Sequence, residues 1–194
     1  MTEVKRDKDA LRAQFKRVRS AIPAQERARI DSEIARRVQE LPEYAQADAL
    51  LPYLSFGSEV DTRALIRDAW EQGKVVVLPR CVPGTRRMEW HRVDSFDGLV
   101  TSSFGVEEPA DDPATLVQPD DFTAPVVLVP GLTFDAQGYR MGYGGGFYDV
   151  FLSRFSGISV GLCRSCQQSE RIECRDEYDL PVGIVVTEVE VMRS

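Results

Sequence analysis

Apolar residues fall at helical spacing twice before residue 42. Leu11, Phe15, Val18 and Ile22 recur at i, i+4, i+7 and i+11, the signature of an amphipathic helix, which Pro23 ends. Ile30, Ile34, Val38 and Leu41 mark a second helix ending near Pro42. Residues 49–56 read as a strand, although Pro52 argues against a central place for all of it. Gly57 and Ser58 turn the chain. A helix then runs to about residue 72, with Leu65, Ile66, Ala69 and Trp70 inward and Gly73 as its C-terminal cap. Residues 75–78 form a short continuous apolar run, as in a buried parallel strand. Strand, helix and strand in succession make a βαβ unit.

Beyond this unit the pattern is patchier. Residues 88–93 are a weaker strand candidate, and residues 94–125, rich in Asp, Ser, Pro and Thr, hold no clear period. Residues 126–129 read as the next buried strand. Phe147, Tyr148, Phe151, Leu152 and Phe155 then sit at helical spacing, residues 158–162 read as a strand, and residues 184–192 as a closing extended run. No internal repeat is present. Alternating strands and helices predict an α/β fold with a mostly parallel sheet. One domain over residues 1–194 is expected, with residues 1–42 a helical pair packed on it.

Composition narrows the classes. Hydrophobic content of 43% and charged content of 28% in 194 residues are ordinary for a soluble globular protein able to bury a sizeable core. No apolar run reaches membrane-spanning length, and the charged N-terminus lacks an apolar signal region, so the chain is expected in the cytoplasm and away from membranes. A net charge of −7 argues against general nucleic-acid binding. The charge is uneven: residues 5–37 alone are net +6. Most of those cations read as solvated helix faces, leaving one or two to turn toward an anionic ligand. The four cysteines read as reduced thiols; Cys163 and Cys166 have C-x-x-C spacing, but the second close pair that a structural zinc site needs is missing. With His91 the only histidine and no G-x-S-x-G, a multi-histidine metal site is excluded and a serine triad has no support. A metal here would be a hard cation, magnesium, held by carboxylate and phosphate.

The chemistry concentrates after residue 129. Pro130 and Gly131 punctuate the strand, a polar turn follows with Asp135, Gln137 and Gly138, and Arg140 precedes Gly142, Gly144, Gly145 and Gly146. Strand, loop, glycine-rich turn and helix together place unpaired backbone N–H groups and the positive end of a helix dipole where an anion can sit. Glycine lets the backbone take φ > 0 and close on phosphate oxygens as a nest. Arg140 would add a bidentate cationic fork. Asp149, in the first turn of the helix, either caps it or holds a metal beside the phosphates. The loop is not a P-loop, since no Gly-Lys-Ser/Thr follows, and Phe147 stands where a dinucleotide fingerprint needs its third glycine. A glycine-rich connection that binds nothing is the plainer alternative. Ligands of parallel sheets lie beyond the carboxyl ends of strands, so Glu59, Arg80 and the glycine loop are expected to converge on one crevice. Taken singly, Glu59 is a candidate cap and Arg80 a surface charge.

Residues 129–149, VPGLTFDAQGYRMGYGGGFYD, resemble the signature of the 5-formyltetrahydrofolate cyclo-ligase (5,10-methenyltetrahydrofolate synthetase) family. Lys8, Leu11 and Arg12 resemble its N-terminal Lys-x-x-Leu-Arg. YLSFGSEVDT at 53–62, Leu78-Pro79-Arg80 and FGVEEP at 104–109 also fit, so the resemblance spans nearly the whole chain. It implies a three-layer α/β/α fold of the kind shared with ribose-5-phosphate isomerase and CoA transferases. The implied activity is an ATP- and magnesium-dependent closure of 5-formyltetrahydrofolate to 5,10-methenyltetrahydrofolate, by a monomer. By the same resemblance Lys8, Arg12, Arg140, Met141, Gly142, Tyr143, Gly144, Gly145, Gly146, Phe147 and Tyr148 bind ATP, with Arg140 and Lys8 catalytic. Leu54, Glu59, Tyr143, Phe147 and Tyr148 border the folate, and Asp149 binds magnesium. Three positions depart from the family pattern: Gly183 stands where a second acidic, metal-associated residue is expected, Tyr178 replaces a common histidine and Cys174 a common proline. The first of these motivates an alternative, a non-catalytic or weakly catalytic nucleotide- or folate-binding relative.

Overall fold

A computed structural model describes residues 3–103 and 105–194. Helices α1 (Glu3–Ala21), α2 (Ala24–Gln39) and α3 (Pro42–Gln46) lead the chain. Strand β1 (Ala49–Leu51), helix α4 (Arg63–Glu71) and strand β2 (Val75–Cys81) form the βαβ unit, and β3 (Met88–Arg92) returns beside β2. A ribbon of β4 (Val100–Thr101) and β5 (Glu107–Glu108) and the short β6 (Leu116–Val117) follow. Then come β7 (Pro125–Val129), β8 (Thr133–Asp135), β9 (Arg140–Met141), α5 (Phe147–Leu152), β10 (Ile158–Leu162), β11 (Gln168–Ser169), β12 (Ile184–Val186) and β13 (Val191–Arg193).

Among the described residues the main sheet has eight strands in the order β13-β12-β10-β7-β1-β2-β3-β6. Its five central strands, β12 to β2, are parallel, and antiparallel strands flank them on both sides. Strand side chains alternate between faces, and β7 shows the consequence. Val126 and Leu128 join a core with Ile34, Val38, Leu65 and Ile66 of α2 and α4. Val127 and Val129 join a second core with Trp90 and Phe134, against which Tyr148, Phe151 and Leu152 of α5 pack. Helices therefore cover both faces, which is why β7 is buried at every position. Phe134 reaches the sheet because Gly131 and Gly161 lack side chains: a Cβ at either would lie 2.4 or 2.3 Å from its ring.

Several boundaries differ from the sequence expectation. The strand expected over 49–56 ends at Leu51, because Pro52 has no N–H to continue the ladder. Residues 52–54 remain buried, with Thr62 Oγ1 donating to the Tyr53 carbonyl at 2.5 Å and the Tyr53 hydroxyl donating to the Val60 carbonyl at 3.0 Å. The closing run expected over 184–192 is two antiparallel strands. Thr187 makes the turn between them: its Oγ1 accepts from the N–H groups of Val189 and Glu190 at 3.2 and 3.0 Å. The helix expected through Phe155 stops at Leu152. The polar turn at 135–138 is the tip of the β8–β9 hairpin, where buried Asp135 accepts from Gln137 N and Tyr139 N at 3.1 and 3.0 Å. Among the described residues no helix is long and apolar enough to cross a membrane.

Candidate active site

A cleft of about 1190 Å³ opens between α1, the segment after β1, the β2–β3 hairpin, the glycine loop and the loop at 176–180. It is larger than the usual pocket for one small ligand, about 300–1,000 Å³. Every residue marked in the sequence as binding or catalytic lines it: Lys8, Arg12, Leu54, Glu59, the whole of 140–148, and Asp149. Arg80 does not. Its guanidinium pairs with Glu89 at 3.1 Å and Asp111 at 2.9 Å, so the expected convergence fails there. Arg86, at the tip of the same hairpin, lines the cleft instead, 3.6 Å from where a Cβ on Gly146 would stand. Phe104, the first residue of the FGVEEP match, lies outside the described residues.

The floor of the cleft is the glycine loop. Gly144 and Gly146 have φ of +100° and +72°, conformations costly for other residues. None of the N–H groups from Gly142 to Gly146 donates to a partner among the described residues. Arg12 steadies this loop from α1, with Nε donating to the Gly142 carbonyl at 3.0 Å. A Cβ on Gly144 would come within 3.3 Å of the Arg12 guanidinium.

Cations and carboxylates are interleaved beside it. Lys8 Nζ donates to Asp176 at 2.8 Å and Asp179 at 2.5 Å. Burial works against the Lys8 charge, but these two carboxylates outweigh it and raise its pKa above the ordinary lysine value. Arg140 is buried; its NH1 donates to the Leu180 carbonyl and its NH2 to Asp149 Oδ1, both at 2.9 Å. Asp149 makes no cap bond at its helix. Its Oδ2 has no hydrogen-bond partner among the described residues, which leaves one carboxylate oxygen for a cation. No group of three His, Cys, Asp or Glu gathers to hold a metal among the described residues. Asp149 therefore fits magnesium only as a single carboxylate completed by phosphate and water oxygens, an ordinary arrangement for that ion.

On the other side of the cleft Glu59 accepts from Phe56 N at 2.9 Å and makes no helix cap. Burial raises its pKa; the Phe56 N–H and the nearby Arg19 charge partly offset this. Leu54, 5% exposed, also lines the cleft. The loop carrying Glu59 rests on a buried ion pair absent from the sequence reading. Arg164, fully buried, donates to both oxygens of Asp31 at 2.8 Å and to the carbonyls of Ser58 and Glu59 at 2.9 and 3.1 Å. The sequence carried no periodic or motif signal for this pair, since its members are 133 residues apart.

The departures resolve differently. Tyr178 lines the cleft and is 72% exposed. Gly183 does not line it: its N–H donates to Ser159 Oγ at 2.9 Å, and a Cβ there would meet Ser159, 3.7–3.9 Å away, rather than any cleft residue. The cysteines are free thiols, and burial pushes the Cys163 thiol well up. His91 is buried on β3 with Nδ1 at 3.0 Å from Thr115 Oγ1.

The family model for the 5-formyltetrahydrofolate cyclo-ligase family matches residues 4–188. The chain belongs to this family. The 5-formyltetrahydrofolate cyclo-ligase of Haemophilus influenzae is 30% identical over 176 residues, covering 89% of this chain and 92% of that protein. That of Escherichia coli is 30% identical over 173 residues, 87% of this chain and 93% of its own. The solved structure of Aquifex aeolicus 5,10-methenyltetrahydrofolate synthetase superposes with a TM-score of 0.81 at 32% identity, covering 96% of this chain and 92% of that one. Cyclo-ligase membership thus rests on residues 4–188, glycine loop included.

Proposed function

We propose that the cleft carries out the family's reaction, ATP-dependent closure of 5-formyltetrahydrofolate to 5,10-methenyltetrahydrofolate with release of ADP and phosphate. The observation that carries this reading is the run of N–H groups from Gly142 to Gly146, unpartnered among the described residues, on a loop that lines a cleft wide enough for two ligands. An N-formyl carbon is a poor electrophile because its nitrogen shares electron density with the carbonyl. Moving the γ-phosphoryl group of ATP to the formyl oxygen gives an iminium phosphate and ADP; N10 of the folate attacks the activated carbon and gives up its proton to the departing phosphate or to water, and the C–O bond breaks to release phosphate. Phosphoryl transfer needs positioning and charge neutralisation more than a protein nucleophile.

The residues divide the work accordingly. The nest with Arg12, Met141 and Tyr143 cradles the polyphosphate, and Phe147 and Tyr148 form the wall between nucleotide and folate. Lys8 and Arg140 are the catalytic cations, each already set by carboxylate partners. Glu59 accepts paired N–H donors of the pterin, and Leu54 packs on its ring. Bound magnesium, held by Asp149, would neutralise phosphate charge. The chain acts as one domain, residues 1–194 with the helical pair of residues 1–42 packed on it, as a cytoplasmic monomer. Its layers are of the ribose-5-phosphate isomerase and CoA transferase type.

The test is turnover. Incubation with 5-formyltetrahydrofolate and Mg-ATP is expected to give methenyl-folate absorbance in step with ADP. A flat trace from folded protein that still binds both ligands by calorimetry would replace this reading with the non-catalytic one.

A further inference from the structure

Arg19 is a cation of α1 that no motif marks. It lies seven residues, two helical turns, beyond Arg12. Only 6% of the residue is exposed. Its Nε donates to Ser58 Oγ at 2.9 Å, and its NH2 donates to the Tyr143 hydroxyl. Its third nitrogen, NH1, is buried with no partner among the described residues. The guanidinium carbon stands 5.4 Å from the centre of the Tyr143 ring.

Those two partners lie on different segments: Tyr143 lines the cleft, and Ser58 adjoins Glu59, which lines it too. Ser58 directly precedes Glu59; Tyr143 is part of the glycine loop. Both partners are uncharged. Glu59 is a nearby anion, and the Arg19 charge offsets only part of the cost of burying it. Its side chain is faced by Arg19 from α1, Tyr143 from the glycine loop, Tyr53 from the segment after β1 and Tyr148 from α5. Arg19 is the one cation among these four.

We infer that Arg19 is a positioning residue: its guanidinium ties Tyr143 of the glycine loop to Ser58 of the loop presenting Glu59, and holds the folate-side pocket in register with the nucleotide nest. This rests on the proposed reaction for its assay. Beyond the tie, the Arg19 charge favours the ionised form of Glu59, the form that accepts two N–H bonds. Removing the charge raises the pH at which Glu59 protonates, so the acidic limb of the folate profile moves to higher pH.

Steady-state kinetics with each substrate varied over a pH series tests this in the wild type, Arg19→Gln and Arg19→Lys. Arg19→Gln is expected to raise KM for 5-formyltetrahydrofolate roughly tenfold or more, as for loss of a charged hydrogen bond. Its kcat is expected to stay within about threefold, since Arg19 touches no reacting atom. The acidic limb of kcat/KM for the folate moves up in pH. Arg19→Lys restores the limb, because the charge remains, but not the full KM, because an ammonium lacks the fork. Tyr143→Phe and Arg19→Gln are expected to be non-additive. Absence of methenyl product from the wild type would overturn the proposed reaction. Wild-type turnover with unchanged folate KM and pH limb in folded Arg19→Gln would overturn the role of Arg19 alone. If Arg19→Gln does not fold, Ser58→Ala removes one tie without altering a cleft-lining side chain; a raised folate KM supports the inference, and a wild-type KM overturns it.

Discussion

Glu59 ionises at a cost. Its pKa is raised mainly because burial disfavours the charged carboxylate. For a group raised on folding, the favourable contribution is complete below the unfolded carboxylate value and is lost as pH climbs through the folded value. At neutral pH the ionised side chain is therefore a net burden on the native state. Glu59→Gln keeps the shape and an oxygen to accept the Phe56 N–H, and removes the charge. We expect its Tm at pH 7 to exceed that of the wild type by a few degrees, about 2–4 °C per kcal/mol gained, with the difference shrinking on acidification. Its KM for the folate is expected to rise as the paired acceptor is lost. A melting series from pH 4 to 8 checks this; an unchanged or lower Tm at neutral pH would count against it. Glu59 itself was legible in the sequence from its resemblance motif and its place after a strand. Its ionic surroundings were not, because Arg19, Tyr143 and Tyr148 reach it from three other elements.

At the scale of elements, the glycine loop is a backbone device with side chains arranged around it. Gly144 combines a φ of +100° with a guanidinium 3.3 Å from its Cβ position. Gly144→Ala meets both obstacles: the left-handed conformation costs about 1–2 kcal/mol, and Arg12 must move off the Gly142 carbonyl. The strain falls on the nest and leaves the Glu59 loop alone. KM for ATP is expected to rise at least roughly tenfold, with the folate KM within about twofold. Equal changes in both would show that the loop is not specific to the nucleotide. That the loop is rich in glycine was plain from the sequence, as was the strand before it and the helix after it. The β8–β9 hairpin was missed because strands of three and two residues are too short for periodicity to register. Its Asp135 makes turn bonds that also fit an irregular loop.

Across the whole molecule, the buried Asp31–Arg164 pair joins α2, the loop after β10 and the 58–61 turn. Asp31 Oδ2 also accepts from Asp61 N at 3.1 Å. Breaking a buried pair leaves an uncompensated charge and typically costs about 3–5 kcal/mol. Arg164→Met is expected to lower stability by that order in urea unfolding and to loosen the Glu59 loop, raising the folate KM. A loss below about 1 kcal/mol would mean that water already reaches the pair.

By itself the sequence determined the class of fold, the βαβ order and the glycine loop. Periodicity and glycine placement are local properties, written within ten or so residues of chain. It also carried, through resemblance, the residues that line the cleft. Only the tertiary structure decided which cations are already engaged: Lys8 by Asp176 and Asp179, Arg140 by Asp149, Arg19 by Ser58 and Tyr143. It alone set Arg80 outside the cleft and Gly183 against Ser159. Charge pairing depends on distance in space, and the partners of Lys8 and Arg19 lie 39 to 171 residues away along the chain, beyond the reach of any local pattern.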